Sequence, residues 1–310
     1  MSEAAAGRMH EPEEPHGVTV PTPHHVINYL MIFYLLVALT ILTVLVAMGH
    51  HVTGSDLKSS PGVERLRALG VEVFVGHRAD QVGDVDAVTF STAVPAANPE
   101  VAAARARGIP VLRRAETLAA ITAVRRTVAV AGTHGKTTTT SMLALILDEA
   151  GMSPSYIVGG ELNEIGGGAL WSDAGDLFVV EADESDGTFL EPGAEAVVVN
   201  NVEPDHLDYY GSLAAIEATF DRFLDAPGVK VVGADDPIAA ALGRAHGALQ
   251  YGTSEHADLR IVDHSTERAG ATFRLARGGE RGQHRHQNAV KWLRGHAVAP
   301  RSDKNAATRQ

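Results

Sequence analysis

Cysteine is absent from all 310 residues. Disulfides, thiolate metal sites and cysteine nucleophiles are thereby excluded together; a reducing cytoplasm suits such a chain, and its chemistry must come from oxygen and nitrogen groups. An excess of basic charge is also missing, since 26 Lys and Arg stand against 38 Asp and Glu, a formal net charge of -12. A protein that tracks nucleic-acid phosphates needs a basic face, so that class fits poorly. A small anionic substrate stays open if local loops supply donors. The length suits about two domains, each with a core of its own.

Charge is missing in a second, local sense. Val26 to Met48, VINYLMIFYLLVALTILTVLVAM, holds no charged residue, and as a helix it reaches about 35 Å, enough for a hydrocarbon core of about 30 Å. This reads as a transmembrane helix over 26–48 behind a disordered, acidic tail over 1–25. A buried soluble helix is the rival reading, with Thr40 and Thr43 suited to it; a signal peptide fits worse, because no small-residue cleavage site follows. Lys58, Arg65 and Arg67 after the run, against Arg8 before it, put the larger C-terminal part in the cytoplasm, anchored in the inner membrane by the run.

From residue 49 short β-rich runs alternate with Ala/Leu/Arg-rich helical segments, the pattern of an α/β protein with a mostly parallel sheet. HHVTGSD, VEVFVG and DAVTFSTAV read as strands. NPEVAAARARG reads as a helix with Asn98 at its N-cap, Pro99 at the first position and Gly108 past its end. This stretch, 49–121, predicts a partial Rossmann-like domain. It lacks the first strand and glycine-rich turn that bring a pyrophosphate to a helix N-terminus.

A second α/β unit, 122–275, offers strands in RTVAVAG, PSYIVGG, DLFVVEAD, EAVVVNN and VKVVGADD. The sharpest motif is VAVAGTHGKTTTTSMLALILDEAG. A β-run enters a loop of Gly132, Thr133, His134 and Gly135, and a helix starts with Lys136, Thr137 and Thr138. Glycines let backbone N–H groups wrap a phosphate, a lysine neutralises the terminal phosphates and a hydroxyl can ligate Mg²⁺. Val130 stands where the longer phosphate-loop pattern has its first glycine, so this is a shorter variant of a P-loop-type ATP site. DLFVVEADESD then delivers Glu181, Asp183, Glu184 and Asp186 to a strand end; a hard cation bridging ATP phosphates needs such a carboxylate, and Glu181 is the first choice. The third loop, VEPDHLDYYG, brings His206 to the same rim, as a metal or phosphate contact or as a structural histidine.

AGTHGKTTTT, EADESDGTFL, NNVEPDHLDYYGS and ADDP together resemble the central domain of the Mur ligases, and GHHVTGSDLKSS, STAVPAANPE and GIPVLRRAETLA resemble the family's UDP-binding first domain. The resemblance covers roughly 47–275. It implies an ATP-dependent acid-amino-acid ligase of peptidoglycan precursor synthesis, joining L-alanine to UDP-N-acetylmuramate through an acyl phosphate. It also implies ATP and Mg²⁺ as cofactors, Lys136 on the ATP phosphates, and Thr137, Glu181 and His206 on the magnesium ions. Asp56 matches a position near the uridine, and Asn163, in GGELNEIGGG, one near the muramyl group.

Two departures from the pattern qualify the expectation. The apolar run replaces the family's first strand and glycine loop, and the third, closing domain has no counterpart: 276–310 reads as a disordered tail without sustained periodicity. The expected enzyme is therefore truncated and incomplete on its own. The run and its lead HGVTVPTPHH are similar to a single-helix membrane subunit such as the fourth subunit of bacterial cytochrome oxidases, so a membrane-anchored ATP-binding module or a respiratory-complex fusion without ligase turnover stays open.

Overall fold

The structure is a computed structural model. It describes residues 40–91, 94–95, 97–159, 168–184, 189, 193–225, 228–267, 270–277, 287–293 and 296–298. The tail 1–25, the first part of the apolar run, and Asn163 lie outside the described residues.

The end of the apolar run, the part of it that is described, gives the expectation of a membrane span no support. Residues 40–47 form a helix, α1, and Ile41 and Val44 are 2% and 0% exposed within the protein's main core, with Leu45 and Met48 packed against it. Leu42 and Val46 pack against a second cluster around Leu66 and Val71. Side chains seated in this core cannot also face lipid. Among the described residues no helix is long and apolar enough to cross a membrane.

The chain continues as β1 (Thr53–Asp56), α2 (Pro61–Ala68), β2 (Glu72–Val75), β3 (Val88–Phe90), α3 (Pro99–Ala106), β4 (Val111–Arg113) and α4 (Arg114–Thr122). Asn98 caps α3 as the sequence predicts, its Oδ1 accepting from the N–H groups of Glu100 and Val101 at 2.8 and 3.3 Å, and Gly108 past the end takes φ +72°. The strands form two separate parallel pairs, β1–β2 and β3–β4. In the 3-2-1-4-5 order of a doubly wound sheet the first strand sits in the middle. The two pairs correspond to the wings of that order, and a strand joining them is not among the described residues.

The second half builds one sheet in the order β15-β14-β13-β12-β11-β10-β9-β5-β8-β6-β7. Its elements are β5 (Arg126–Ala131), α5 (Lys136–Glu149), β6 (Ser155–Ile157), β7 (Ala169–Leu170), β8 (Leu177–Glu181), β9 (Ala196–Val199), α6 (Leu207–Tyr210), α7 (Leu213–Leu224), β10 (Val229–Gly233), α8 (Pro237–Ala245), β11 (Leu249–Gly252), β12 (Leu259–Glu267), β13 (Gly270–Arg277), β14 (Gln287–Leu293) and β15 (His296–Val298). All five strands predicted for this unit are present. Strands β5 and β8 are apolar almost throughout because helices cover both faces; Phe178, Val130, Val180 and Val199 are fully buried, and Phe189 lies 5.3 and 4.9 Å from Phe220 and Phe223 of α7. Beyond β12 the sheet turns antiparallel. Strands β14 and β15 fall inside 276–310, where a disordered tail was expected: β14 pairs with β13 and β15 with β14, a backbone order that the sequence pattern does not announce.

One topological fact positions the site. Strand β5 is parallel to β8 on one side and β9 on the other, so the chain leaves β5, crosses to β6, returns beside β5 and then passes to its far side. This reversal opens a crevice at the carboxyl ends of β5, β8 and β9, where ligands bind open α/β sheets.

Candidate active site

The loop after β5 enters that crevice. Gly132 has φ +133°, and a Cβ there would stand 3.0 Å from the Asn200 backbone nitrogen; Gly135, with φ +79°, sits at the N-cap of α5. Both positions need glycine, one for close approach and the other for a left-handed backbone. The four threonines that follow are poor helix formers; Thr140 Oγ1 donates to the Lys136 carbonyl at 2.8 Å and Ser141 Oγ to that of Thr137 at 2.6 Å, which absorbs those two hydroxyls within the helix. The packing of Leu143, Ala144 and Leu147 against Tyr156, Val158 and Val179 holds α5 on the sheet.

The loop after β9 fixes the shape of this turn. Asn201 accepts from Thr133 N–H through its carbonyl at 3.1 Å and from His134 N–H through Oδ1 at 2.7 Å. Asn200 Nδ2 donates to the His134 carbonyl at 3.2 Å and to Thr139 Oγ1 at 3.0 Å, and Tyr251 donates its hydroxyl to Asn200 Oδ1 at 2.9 Å. The Thr133 and His134 amides are thus used structurally. The N–H groups of the first turn of α5, which lack intrahelical acceptors, are left as donors open to an anion. The His134 and Thr138 side chains are exposed.

Two carboxylates from the end of β8 meet the loop. Glu181 accepts from Thr137 Oγ1 at 3.0 Å and from Gly159 N–H at 2.7 Å. Burial raises its pKa, against the lowering by those two donors and by Lys136. Glu184 Oε1 lies 2.7 Å from Lys136 Nζ, with 4% and 14% of the two side chains exposed. Its pKa is raised by burial, opposed by the ammonium of Lys136. His206 follows β9 at the same edge as the N-cap of α6, in a left-handed conformation with φ +50°. Its N–H donates to Asp205 Oδ1 at 2.7 Å, and four residues on Tyr210 donates its hydroxyl to the Glu184 carbonyl at 2.5 Å.

The crevice therefore gathers Lys136, Thr137 and Glu181, with Thr137 in contact with Glu181 and Lys136 with Glu184, and His206 stands in the adjoining loop. Asp56 stands apart, at the end of β1 in a different sheet, where its Oδ1 accepts from Lys58 N–H at 3.1 Å in an ordinary turn. Sequence reasoning left unassigned the pairing of Glu184 with Lys136 and the bracing by Tyr210 and Tyr251. These contacts join residues 26 to 51 positions apart, and the YY of HLDYYG was the one local hint. Among the described residues no three His, Asp or Glu side chains gather closely enough to hold a metal by themselves. That suits Mg²⁺, which takes one or two carboxylates together with phosphate oxygens and water. A cleft of about 880 Å³ lies elsewhere, at the amino-terminal edge, lined by Arg125, Arg126, Glu195 and Phe223 among others; the loops and charges that can hold a nucleotide are at the opposite edge, and chemistry is assigned there.

Comparison with known proteins gives residues 40–126 as a match to the Mur ligase family catalytic domain and 130–290 as a match to the Mur ligase middle domain. The UDP-N-acetylmuramate–L-alanine ligase of Brucella anthropi is 44% identical over 242 residues, 76% of this chain and 52% of that protein; the Brucella ovis enzyme of the same name is 43% identical over 76% and 51%. The crystal structure of UDP-N-acetylmuramate-alanine ligase from Thermotoga maritima matches with a TM-score of 0.69 at 27% identity, over 81% of this chain and 57% of that one. The UDP-N-acetylmuramate:L-alanyl-gamma-D-glutamyl-meso-diaminopimelate ligase from Neisseria meningitides matches at 0.68 and 26%, over 82% and 83%. The chain spans about half the length of the curated relatives it matches.

Proposed function

The chain belongs to the Mur ligase family, and from that premise we propose that it carries the ATP-binding core of a ligase joining L-alanine to UDP-N-acetylmuramate through an acyl phosphate, acting in the cytoplasm. The identity to ligases of that name supports the substrate pair. The observation that carries the reading is the meeting of the Gly-rich turn after β5 with a carboxylate from β8 at the sheet's reversal point, through the 3.0 Å contact of Thr137 with Glu181.

The residues present fit a magnesium nucleotide. A cradle that a single Cβ at Gly132 would fill against Asn200, a hydroxyl and a carboxylate already in contact, and a buried Glu184 Oε2 with no hydrogen-bond partner among the described residues make a donor set for a cation and a triphosphate. ATP supplies the phosphoryl group when bound, and Mg²⁺ neutralises charge on it. Lys136 binds the terminal phosphates; the first-turn amides of α5 orient them; Thr137, Glu181 and His206 hold the cation; and Gly159 N–H fixes the Glu181 rotamer. Phosphoryl transfer depends on positioning and electrostatic stabilisation more than on a strong base. Asp56 and Asn163 are proposed on the substrate side, near the uridine and the muramyl group.

Calorimetric titration of the 310-residue chain with Mg·ADP tests the reading. Binding should appear in the wild type and be lost in Lys136→Ala; equal affinity in both rejects the site. Release of ADP that requires both UDP-N-acetylmuramate and alanine tests the reaction.

A further inference from the structure

We propose that Glu184 is the resting counter-ion of the phosphate-binding lysine and makes nucleotide binding conditional on a divalent cation. The inference rests on the nucleotide reading of the Lys136 turn and adds a specificity-determining residue to it.

The Lys136 ammonium has three N–H donors and three acceptors around it: the Gly132 carbonyl at 2.9 Å, the Thr133 carbonyl at 3.4 Å and Glu184 Oε1 at 2.7 Å. No donor is spare for a phosphate, so an incoming anion must displace one of these contacts. Where a phosphate draws the ammonium outward, away from all three, the contact that costs most to lose is the charged one, because a charge-assisted hydrogen bond exceeds a neutral one roughly twofold. Glu184 is poorly placed to follow the lysine outward, since its carbonyl is pinned by the Tyr210 hydroxyl and its side chain is more deeply buried than that of Lys136. Once Lys136 turns to a phosphate, Glu184 is left as a buried carboxylate, and its second oxygen already lacks a hydrogen-bond partner among the described residues.

The surroundings make this costly. Glu184 is buried beside Asp183, which already disfavours its charged form, and the Lys136 ammonium offsets their negative charge at the place where a polyanion must enter. A nucleotide without metal adds further negative charge there. A nucleotide with its divalent cation brings a positive charge to replace the departing lysine at Glu184. The arrangement admits a metal-nucleotide and discriminates against free phosphates, which carry the same anionic oxygens without the cation.

ADP affinity is measured by calorimetry on the full chain with Mg²⁺ and again with EDTA. Glu184→Gln keeps the size and removes the charge, and Glu184→Ser removes it in a second way, so loss of the fold in one leaves the other to decide. Glu181→Gln removes an equal charge that makes no hydrogen bond to Lys136. Metal-free ADP should bind Glu184→Gln or Glu184→Ser tighter than wild type by about tenfold, the worth of one charge-assisted hydrogen bond, with the ratio of metal-free to Mg²⁺ affinity constants raised toward one. Glu181→Gln should give no such gain. Unchanged or weaker metal-free binding in the Glu184 variants, or an equal gain in Glu181→Gln, overturns the inference while leaving the nucleotide site intact. Failure of the wild type to bind Mg·ADP overturns the functional reading, and this inference with it.

Discussion

Two ion pairs of nearly equal length flank strand β5 at its opposite ends. Where β5 begins, Arg126 Nη2 and Glu195 Oε1 are 2.8 Å apart, with 57% and 51% of their side chains exposed. Beyond its other end, Lys136 Nζ and Glu184 Oε1 are 2.7 Å apart, with 14% and 4% exposed. The exposed pair adds a second hydrogen bond from Arg126 Nε at 2.9 Å and has Asp176 3.8 Å from Nη1. Water shares the work of neutralising it, so it contributes little either way. The buried pair has given up water on both sides, and each partner depends on the other. Distance does not separate the two; burial does, and burial falls at the edge where the topology opens a crevice.

The comparison predicts its largest difference for removal of the two cations from the chain without ligand. Lys136→Met should lower stability by about 3–5 kcal/mol, because it strands Glu184 as an unpaired buried carboxylate, and Glu184→Gln added to it should return most of the loss. Urea unfolding of the single and double variants measures this. A loss in Lys136→Met that the second substitution does not relieve would mean that the two edges differ in something other than paired burial. Smaller is Gly132→Ala: its left-handed φ and its 3.0 Å approach to Asn200 should cost more than about 1 kcal/mol and weaken Mg·ADP binding with it. Tyr251→Phe should follow at about 1 kcal/mol with a few-fold loss of nucleotide affinity, since it frees the Asn200 amide that braces the His134 carbonyl.

Much of this edge was legible in the sequence. A glycine-rich turn between an apolar run and a helix has one common use, and an apolar run ending in Glu181 has to present that residue at a strand end; local pattern carries both inferences. The Asn98 cap is equally local, its partners lying two and three residues away. The fate of Ile41 and Val44 was not legible, because hydropathy measures the preference for leaving water and is silent on whether lipid or protein receives the side chain. The pairing of Lys136 with Glu184, 48 residues apart, was hidden for a related reason. Adjacency of β5 and β8 is a property of the sheet order, and several orders fit one alternation of strands and helices. The antiparallel strands β14 and β15 arise from successive pairing, β14 with β13 and β15 with β14, which compensates for a weak pattern of their own.

The smallest effect is expected at the exposed edge, and it has a sign. The Glu195 pKa is lowered, first by the hydrogen bond from Arg126 and then by its charge. A lowered carboxylate pKa stabilises the fold above the unfolded value, about 4.3 for glutamate, and that stabilisation disappears as pH falls through the folded value. Glu195→Gln should therefore unfold marginally below the wild-type temperature at pH 7, at low ionic strength, with the gap closing as acid protonates Glu195 in the folded protein. High salt should erase even the neutral-pH difference, since at 1 M the screening length falls to about 3 Å, comparable to the 2.8 Å separation of this pair. A difference at pH 7 that persists in high salt would place Arg126 and Glu195 in the same class as Lys136 and Glu184. The contrast between the two ends of β5 would then have to be drawn from the chemistry of lysine and arginine rather than from exposure to water.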